Sequence, residues 1–412
     1  MKMKTLASTR TSLFLYASCA AAILLGAATP QSQPAQIGRP EVRTAKPPSA
    51  VFVPAPQRIV IDRNALAAAT EGAWLQKLTT GFLRRCTGRS VGCAIAAVGP
   101  RGMWSEGATG DARRTPDSRP RTLTATDKIT MASVSKTFTG VALQRLLYTK
   151  RISVDSRIGP FLPRDWTRTA AVDNVTFRQL LTHTSGLPCS GIIDDQLKTC
   201  LATANPAPSP FAYKNENFAL MRILIPRING LPLLRPGSLP PYAALYRNYV
   251  NAAVFAPAGL PQMECKPTDL LPALSYKSAT ANKWDFSQVG PGEIWGDMGA
   301  VCGSQGWFLS AHQMAQTMRT IMTPDKILPA SLVDRMKKDN LAVYFGDHGD
   351  GLQSWNHGGY HPAEWNHGEI NTLIIHFNNG VSVGVIINSP YGSGTTGGNY
   401  FADLIASVKA AG

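Results

Sequence analysis

Acidic residues are scarce in this chain. Its 412 residues hold 26 Asp and Glu against 41 Lys and Arg, a formal net charge of +15. Only 16% of residues are charged, while 44% are hydrophobic. That balance belongs to a folded globular protein and excludes a disordered or fibrous one. Past the N-terminus no segment approaches 18 apolar residues, which excludes a multi-pass membrane protein. No close CxxC pair occurs, so neither a zinc knuckle nor a thioredoxin-type site has its spacing. No repeat, basic heptad region, zinc-finger spacing or basic run interleaved with aromatics is present. The positive charge therefore lacks the signatures of a nucleic-acid binder.

What the N-terminus does hold is a targeting layout. Lys2, Lys4 and Arg10 precede a mostly apolar Leu13–Leu25, and Gly26-Ala27-Ala28 follow. Residues 1–28 read as a secretory signal peptide, with a retained anchor as the alternative. Its removal takes three positive charges and leaves +12. A basic exported protein fits an anionic cell-wall polymer as partner, or simply a soluble basic surface. Residues 29–62 are rich in proline and small polar residues and read as a flexible lead. The folded domain is expected over 63–412, with no membrane span once the signal is removed and a periplasmic or secreted location.

Cys19 lies in the signal. Six cysteines remain, at 86, 93, 189, 200, 265 and 302. An even number in an oxidising compartment predicts disulfides. Six cysteines admit fifteen connectivities. Short loops favour Cys86–Cys93 and Cys189–Cys200, which would leave Cys265–Cys302.

Apolar periodicity places a helix from Asn64 through Leu66, Trp74, Leu78 and Phe82. Two short strands follow, within VGCAIAAVGP (91–100) and RGMWSEGATG (101–110), joined by a turn near Gly99-Pro100, and then a polar surface loop over 111–121. Met131–Leu147 reads as a largely buried helix, with Gly140 costing roughly 1 kcal/mol relative to Ala and so marking close packing. Shorter helices are expected after Thr176, over Tyr213–Ile225 and over Tyr242–Phe255, with a Pro-rich break at 231–241. Residues 261–300 show no regular pattern. Ser310 caps a further helix. Asn378-Asn379-Gly380 between two apolar runs signals a hairpin, and Tyr400–Ala411 closes the chain as a helix. Strands near both ends with helices between predict an α/β protein of the α+β type: an antiparallel sheet assembled from both ends, with packed helices and a mainly helical region.

The chemistry lies in Ser133-Val134-Ser135-Lys136. A serine and a lysine three apart at a helix start share one face. The free N–H groups there can hold an oxyanion. A buried lysine can accept the seryl proton. Alone, the motif equally describes a capping serine followed by a surface lysine. In Tyr213-Lys214-Asn215 the phenol can relay a proton and the amide can hold a carbonyl. In His357-Gly358-Gly359 the glycines permit close backbone approach. His183, His312, His348 and His376 are scattered and define no metal site.

Taken in order, these segments resemble the serine beta-lactamase and penicillin-binding-protein superfamily, in its class C beta-lactamase-like branch. That branch holds D-Ala-D-Ala carboxypeptidases, D-aminopeptidases and esterases. ITMASVSKTFTG matches the nucleophile motif, VTFRQLLTHTSGL (175–187) a branch segment, and Tyr213-Lys214-Asn215 the Tyr-x-Asn motif. AVFAPAGL (253–260) and GWFLSAHQMAQ (306–316) resemble further segments. The resemblance covers about residue 65 to the end. It implies a beta-lactamase/transpeptidase-like fold and an acyl-enzyme on Ser133. Lys136 and Tyr213 would share the acid–base work. Asn215, His357, Gly358 and Gly359 would bind substrate, and the backbone N–H groups of Ser133 and Tyr360 would form the oxyanion hole. It implies no metal or organic cofactor. The substrate would be a peptide, an ester or a beta-lactam-like molecule, with D-amino-acid or cell-wall stem peptide foremost. His357 stands where the more familiar residue is lysine, and Gly358 where a hydroxyl is usual. The nearby His367-Gly368 is a competing third motif, which Glu369 breaks. A catalytically inactive wall-binding protein is the alternative from another class.

Overall fold

The computed structural model describes residues 63–230, 241–278, 286, 288–363, 367–392 and 399–412. The signal peptide, the Pro-rich lead and most of the 231–241 break lie outside these residues. In chain order the helices are α1 (Arg63–Cys86), α2 (Ser135–Thr149), α3 (Ala170–Asp173), α4 (Phe177–Leu181), α5 (Asp194–Thr203), α6 (Asn215–Asn229), α7 (Tyr242–Val250), α8 (Ala311–Met322), α9 (Ala330–Asp339) and α10 (Tyr400–Ala411). The strands are β1 (Gly92–Val98), β2 (Trp104–Arg113), β3 (Arg121–Thr122), β4 (Ile129–Thr130), β5 (Phe308–Leu309), β6 (Tyr344–Asp347), β7 (Gln353–His361), β8 (Ile370–Phe377) and β9 (Ser382–Ile387).

Seven strands form one antiparallel sheet in the order β3-β2-β1-β9-β8-β7-β6. The two chain ends meet at its centre, where β1 pairs with β9 from Cys93↔Ile387 to Val98↔Ser382. This is the predicted sheet built from both ends. Its middle strands are buried on both faces, and the period of two sorts their side chains into two layers. Cys93, Ile95 and Ala97 join Val383, Val385, Leu373 and Ile375 under α1 and α10. Ala94, Ala96, Val98, Ile374 and Ile386 face the other way, into a larger core shared with α2, α6, α7 and α8. That larger core is the helical region.

Local signals explain the element ends. Ser310 accepts the Gln313 N–H in a capping box, and Thr176 does the same for Gln179. The β8–β9 hairpin closes with Gly380 at φ 87°, a left-handed position suited to glycine. All three disulfides form with the expected partners, Cys86–Cys93, Cys189–Cys200 and Cys265–Cys302. Among the described residues no helix is long and apolar enough to cross a membrane.

Three boundaries differ from the sequence reading. β2 continues to Arg113 and pairs with β3, although 111–121 is polar. β3 is an edge strand, and the edge of a sheet meets water and need not look apolar. The helix expected from Met131 begins as a 3₁₀ turn, Ala132–Val134, before α2. Tyr213 and Lys214 lie before α6, with Lys214 extended at φ −137°, ψ 119°. The described residues of 261–300 are held by isolated bridges such as Ser275↔Glu293 and Tyr276↔Glu369 rather than by a ladder.

Gly140 is a packing requirement of α2. A Cβ there would stand 2.2 Å from the Ala342 Cβ and 3.1 Å from Leu181. Gly140→Ala is therefore expected to destabilise by about 1–3 kcal/mol through overpacking, against the roughly 1 kcal/mol that helix propensity would return. Urea unfolding measures this. An unchanged or higher midpoint would refute the close approach.

Candidate active site

The segment entering the site is tied down on both sides. β4 pairs with β5 through Ile129↔Leu309 and Thr130↔Phe308. The Met131 N–H then donates to the Trp307 carbonyl at 2.7 Å, and the Trp307 N–H donates to Ser135 Oγ at 3.2 Å. Between these anchors the chain turns sharply. Ala132 takes φ 46°, a left-handed value unusual for a residue with a Cβ. The next residue, Ser133, is thereby lifted out of the helix and lines a cleft of about 570 Å³.

Lys136 points into the protein from the first turn of α2 and is fully buried. The surface-lysine reading of Ser-x-x-Lys does not hold here. Its Nζ lies 3.0 Å from Ser133 Oγ, 2.7 Å from Asn215 Oδ1 and 2.7 Å from the Ser304 carbonyl. Burial drives the amine well below the usual lysine range, and Glu216 opposes this only in part. The partners suit a neutral amine. Asn215 Oδ1 and the Ser304 carbonyl only accept, so they take its two N–H bonds. In the neutral form the lone pair would be the part of Nζ left toward Ser133 Oγ.

Tyr213 caps this group, with Nζ 4.9 Å from its ring centroid. Loss of solvent pushes the phenol up to about 12, although its bond with Ser133 pulls the other way. It therefore rests protonated. His183 holds it in place. The imidazole stacks on the Tyr213 ring at 4.5 Å, and its Nδ1 accepts the Lys214 N–H at 3.0 Å. His183 is itself buried and held neutral, down to about 3, chiefly by desolvation. The sequence reading had set this residue aside. No spacing rule links it to Tyr213, because the contact is tertiary.

The opposite wall is β7. Gly359 lies against the turn carrying Ser133, where a Cβ would meet Thr372 Oγ1 at 2.1 Å and the Met131 carbonyl at 2.4 Å. Gly358 has open space, with only the Tyr400 hydroxyl at 3.9 Å. His357 is buried, and chiefly desolvation holds it down to about 3. Its Nδ1 lies 2.7 Å from the Gly358 carbonyl. A carbonyl only accepts, so Nδ1 carries the proton and Nε2 is a bare acceptor. That Nε2 is buried with no partner. Tyr360 follows and lines the same cleft.

The structure thus gathers Ser133, Tyr213, Asn215, His357, Gly358, Gly359 and Tyr360 around one cleft, with Lys136 beneath. It adds Gln305, Tyr344, His361 and Tyr400 to the lining. His367-Gly368 takes another role. His367 stacks on Trp295 at 4.5 Å, and Gly368 passes against the backbone of Ser275 and Tyr276. Among the described residues, no group of three or more His, Cys, Asp or Glu is placed to hold a metal.

A family model described as Beta-lactamase matches residues 74–407. The comparison with curated proteins finds no match. Several solved structures share the fold. The D-amino acid amidase from Ochrobactrum anthropi SV3, complexed with L-phenylalanine amide, superposes with a TM-score of 0.61 at 18% identity, over 83% of this chain and 98% of the amidase. A D-stereospecific amidohydrolase from Streptomyces sp. gives 0.57 at 18%, over 81% and 98%. The octameric penicillin-binding protein homologue from Pyrococcus abyssi gives 0.60 at 15%, over 84% and 77%.

Proposed function

The chain belongs to the beta-lactamase family, and from that premise we propose that it is an exported serine hydrolase. It cleaves amide bonds of D-amino-acid peptides or amides through an acyl-enzyme on Ser133. The observation that carries the reading is the buried Lys136 amine 3.0 Å from Ser133 Oγ. Three disulfides suit an oxidising compartment outside the cytoplasm.

In the reaction Ser133 Oγ attacks the substrate carbonyl carbon while its proton passes to Lys136. The backbone N–H groups of Ser133 and Tyr360 hold the oxyanion. The Tyr213 phenol, protonated at rest, donates to the leaving amine as the C–N bond breaks and recovers its proton from Lys136. Water then attacks the ester by the reverse proton path, releasing the acid and free Ser133. Asn215 spends Oδ1 on Lys136, so Nδ2 remains to donate to a substrate carbonyl.

The substrate class follows from charge. Among the described lining residues there is no lysine or arginine, and His357 is neutral. A carboxylate beside the scissile bond finds no cation there, so beta-lactams and C-terminal carboxylates rank below neutral amides. Two of the similar structures are named as a D-amino acid amidase and a D-stereospecific amidohydrolase, which supports the same choice.

Intact-mass spectrometry with a fluorophosphonate probe and with a penicillin, together with D- and L-amino acid amide turnover, tests this. A probe adduct mapped to Ser133, D-selective amide cleavage and weak penicillin labelling are expected. A long-lived penicillin adduct would point to a carboxylate-reading pocket. Ester turnover without amide turnover would make it an esterase. No adduct in folded protein would leave a wall-binding protein.

A further inference from the structure

Two of the three partners of the Lys136 amine are side chains on named elements, but the third is the backbone carbonyl of Ser304. That carbonyl lies in an irregular turn, 298–307, whose regular structure is one 3₁₀ turn at Gly299–Val301. Three successive carbonyls of this turn face inward. Cys302 accepts from the Tyr246 hydroxyl at 3.3 Å, Gly303 from Thr139 Oγ1 at 2.7 Å, and Ser304 from Lys136 Nζ at 2.7 Å. The next residue, Gln305, lines the cleft. No ladder fixes this stretch, yet it must keep a carbonyl aimed at one atom.

The Cys265–Cys302 disulfide supplies the fixation. Both cysteines are buried. The Cys265 side is anchored independently, because Asn251 bonds both backbone groups of Met263, at 2.7 Å and 3.0 Å, and the Phe308 N–H donates to the Glu264 carbonyl at 3.0 Å. Cys265 also accepts the Met298 N–H at 2.8 Å, at the start of the turn. The other two disulfides lie elsewhere. Cys86–Cys93 joins α1 to β1, in the layer under α1 and α10, and Cys189–Cys200 ties α5 to the segment before it.

We propose that the Cys265–Cys302 disulfide is a positioning clasp for the Lys136 amine, holding the Ser304 carbonyl against it and keeping water from that side. This rests on the roles assigned above to Ser133 and Lys136. The groups facing the amine are Glu216 and Asn215 on α6, Ser133 and Tyr213 at the cleft, and the neutral His183, His357 and His361. None of these is moved by opening the clasp. What changes is burial, the largest influence on the lysine, so an opened turn lets the amine regain its proton.

The test compares the full chain with Cys265→Ala/Cys302→Ala, and with Cys86→Ala/Cys93→Ala as the control. Fluorophosphonate labelling of Ser133 is followed against pH. Opening the clasp is expected to move the acid limb upward by about one pH unit, which on that limb is about tenfold slower labelling at a given pH. The control pair should lower the melting temperature and leave the profile in place. If the clasp variant also keeps its profile, the disulfide is only a staple and the proposal fails. Should that variant not fold, Gly303→Ala substitutes for it. A Cβ there meets the Phe218 carbonyl at 2.6 Å and Arg222 Cβ at 2.8 Å, displacing the turn with the disulfide intact, and it should shift the profile the same way. A titration of ¹³C-labelled lysine, assigned by the signal missing from Lys136→Met, reads the amine without turnover. A lysine midpoint that moves in the clasp variant, with a wild type that never labels, would retain the clasp and reject the hydrolase reading.

Discussion

Lys136→Met is expected to slow acylation of Ser133 about a thousandfold, within the range general-base removal usually costs, while the protein stays folded. Methionine fills a similar volume and carries no charge into a site that burial already disfavours. The same variant reports the lysine's titration through stability. A lysine whose folded pKa is depressed binds more protons when unfolded. Stability therefore rises with pH between the folded pKa and the unfolded value of about 10.4, by at most about 1.4 kcal/mol per pH unit. Wild type should gain on Lys136→Met as pH rises through that window, whatever the offset at neutral pH. Urea midpoints taken from pH 6 to 10 read the slope, and parallel curves would mean the lysine titrates normally. The acylation profile should also lack an inflection near the usual histidine value, since His183 and His357 both stand at about 3. An inflection near 6.5 that vanished in a His357 variant would return histidine to the proton path.

The half of the site that acts through side chains was legible in the sequence. Ser133 and Lys136 are joined by helical spacing, which local geometry enforces. Tyr213 and Asn215 bracket a helix start, and Gly359 sits at a strand position where crowding requires the absence of a side chain. The Ser304 carbonyl could not be read, because a backbone oxygen looks alike under any residue. His183 carried a motif but no visible partner, since its stack on Tyr213 joins the end of α4 to the start of α6. The sheet was legible where strands are buried, as in β1, β8 and β9. It blurred at β2 and β3, where a solvated edge removes the apolar pattern. Residues 261–300 gave no periodicity because single bridges, not repeating ladders, hold the described part of that stretch.

Gly359→Ala is expected to disable the site from the opposite wall, and Gly358→Ser to leave it working, although the two glycines are adjacent. At 359 the added carbon falls on Thr372 Oγ1 and on the Met131 carbonyl. Neither can retreat, because Thr372 is buried in β8 and its hydroxyl donates to that carbonyl at 2.8 Å. The strand must then move away from the turn carrying Ser133, taking Tyr360 with it. A displacement of about 1 Å at a reacting centre costs roughly a hundredfold, and overpacking adds about 1–3 kcal/mol of lost stability. At 358 the nearest atom is 3.9 Å away, so serine fits and offers the cleft a hydroxyl. Labelling rate and melting temperature, measured for both variants, separate the two positions. Equal losses would place the requirement in the strand as a whole. A loss at 359 alone would place it in the close approach between β7 and the turn carrying Ser133, on which the proposed oxyanion hole of the Ser133 and Tyr360 N–H groups depends.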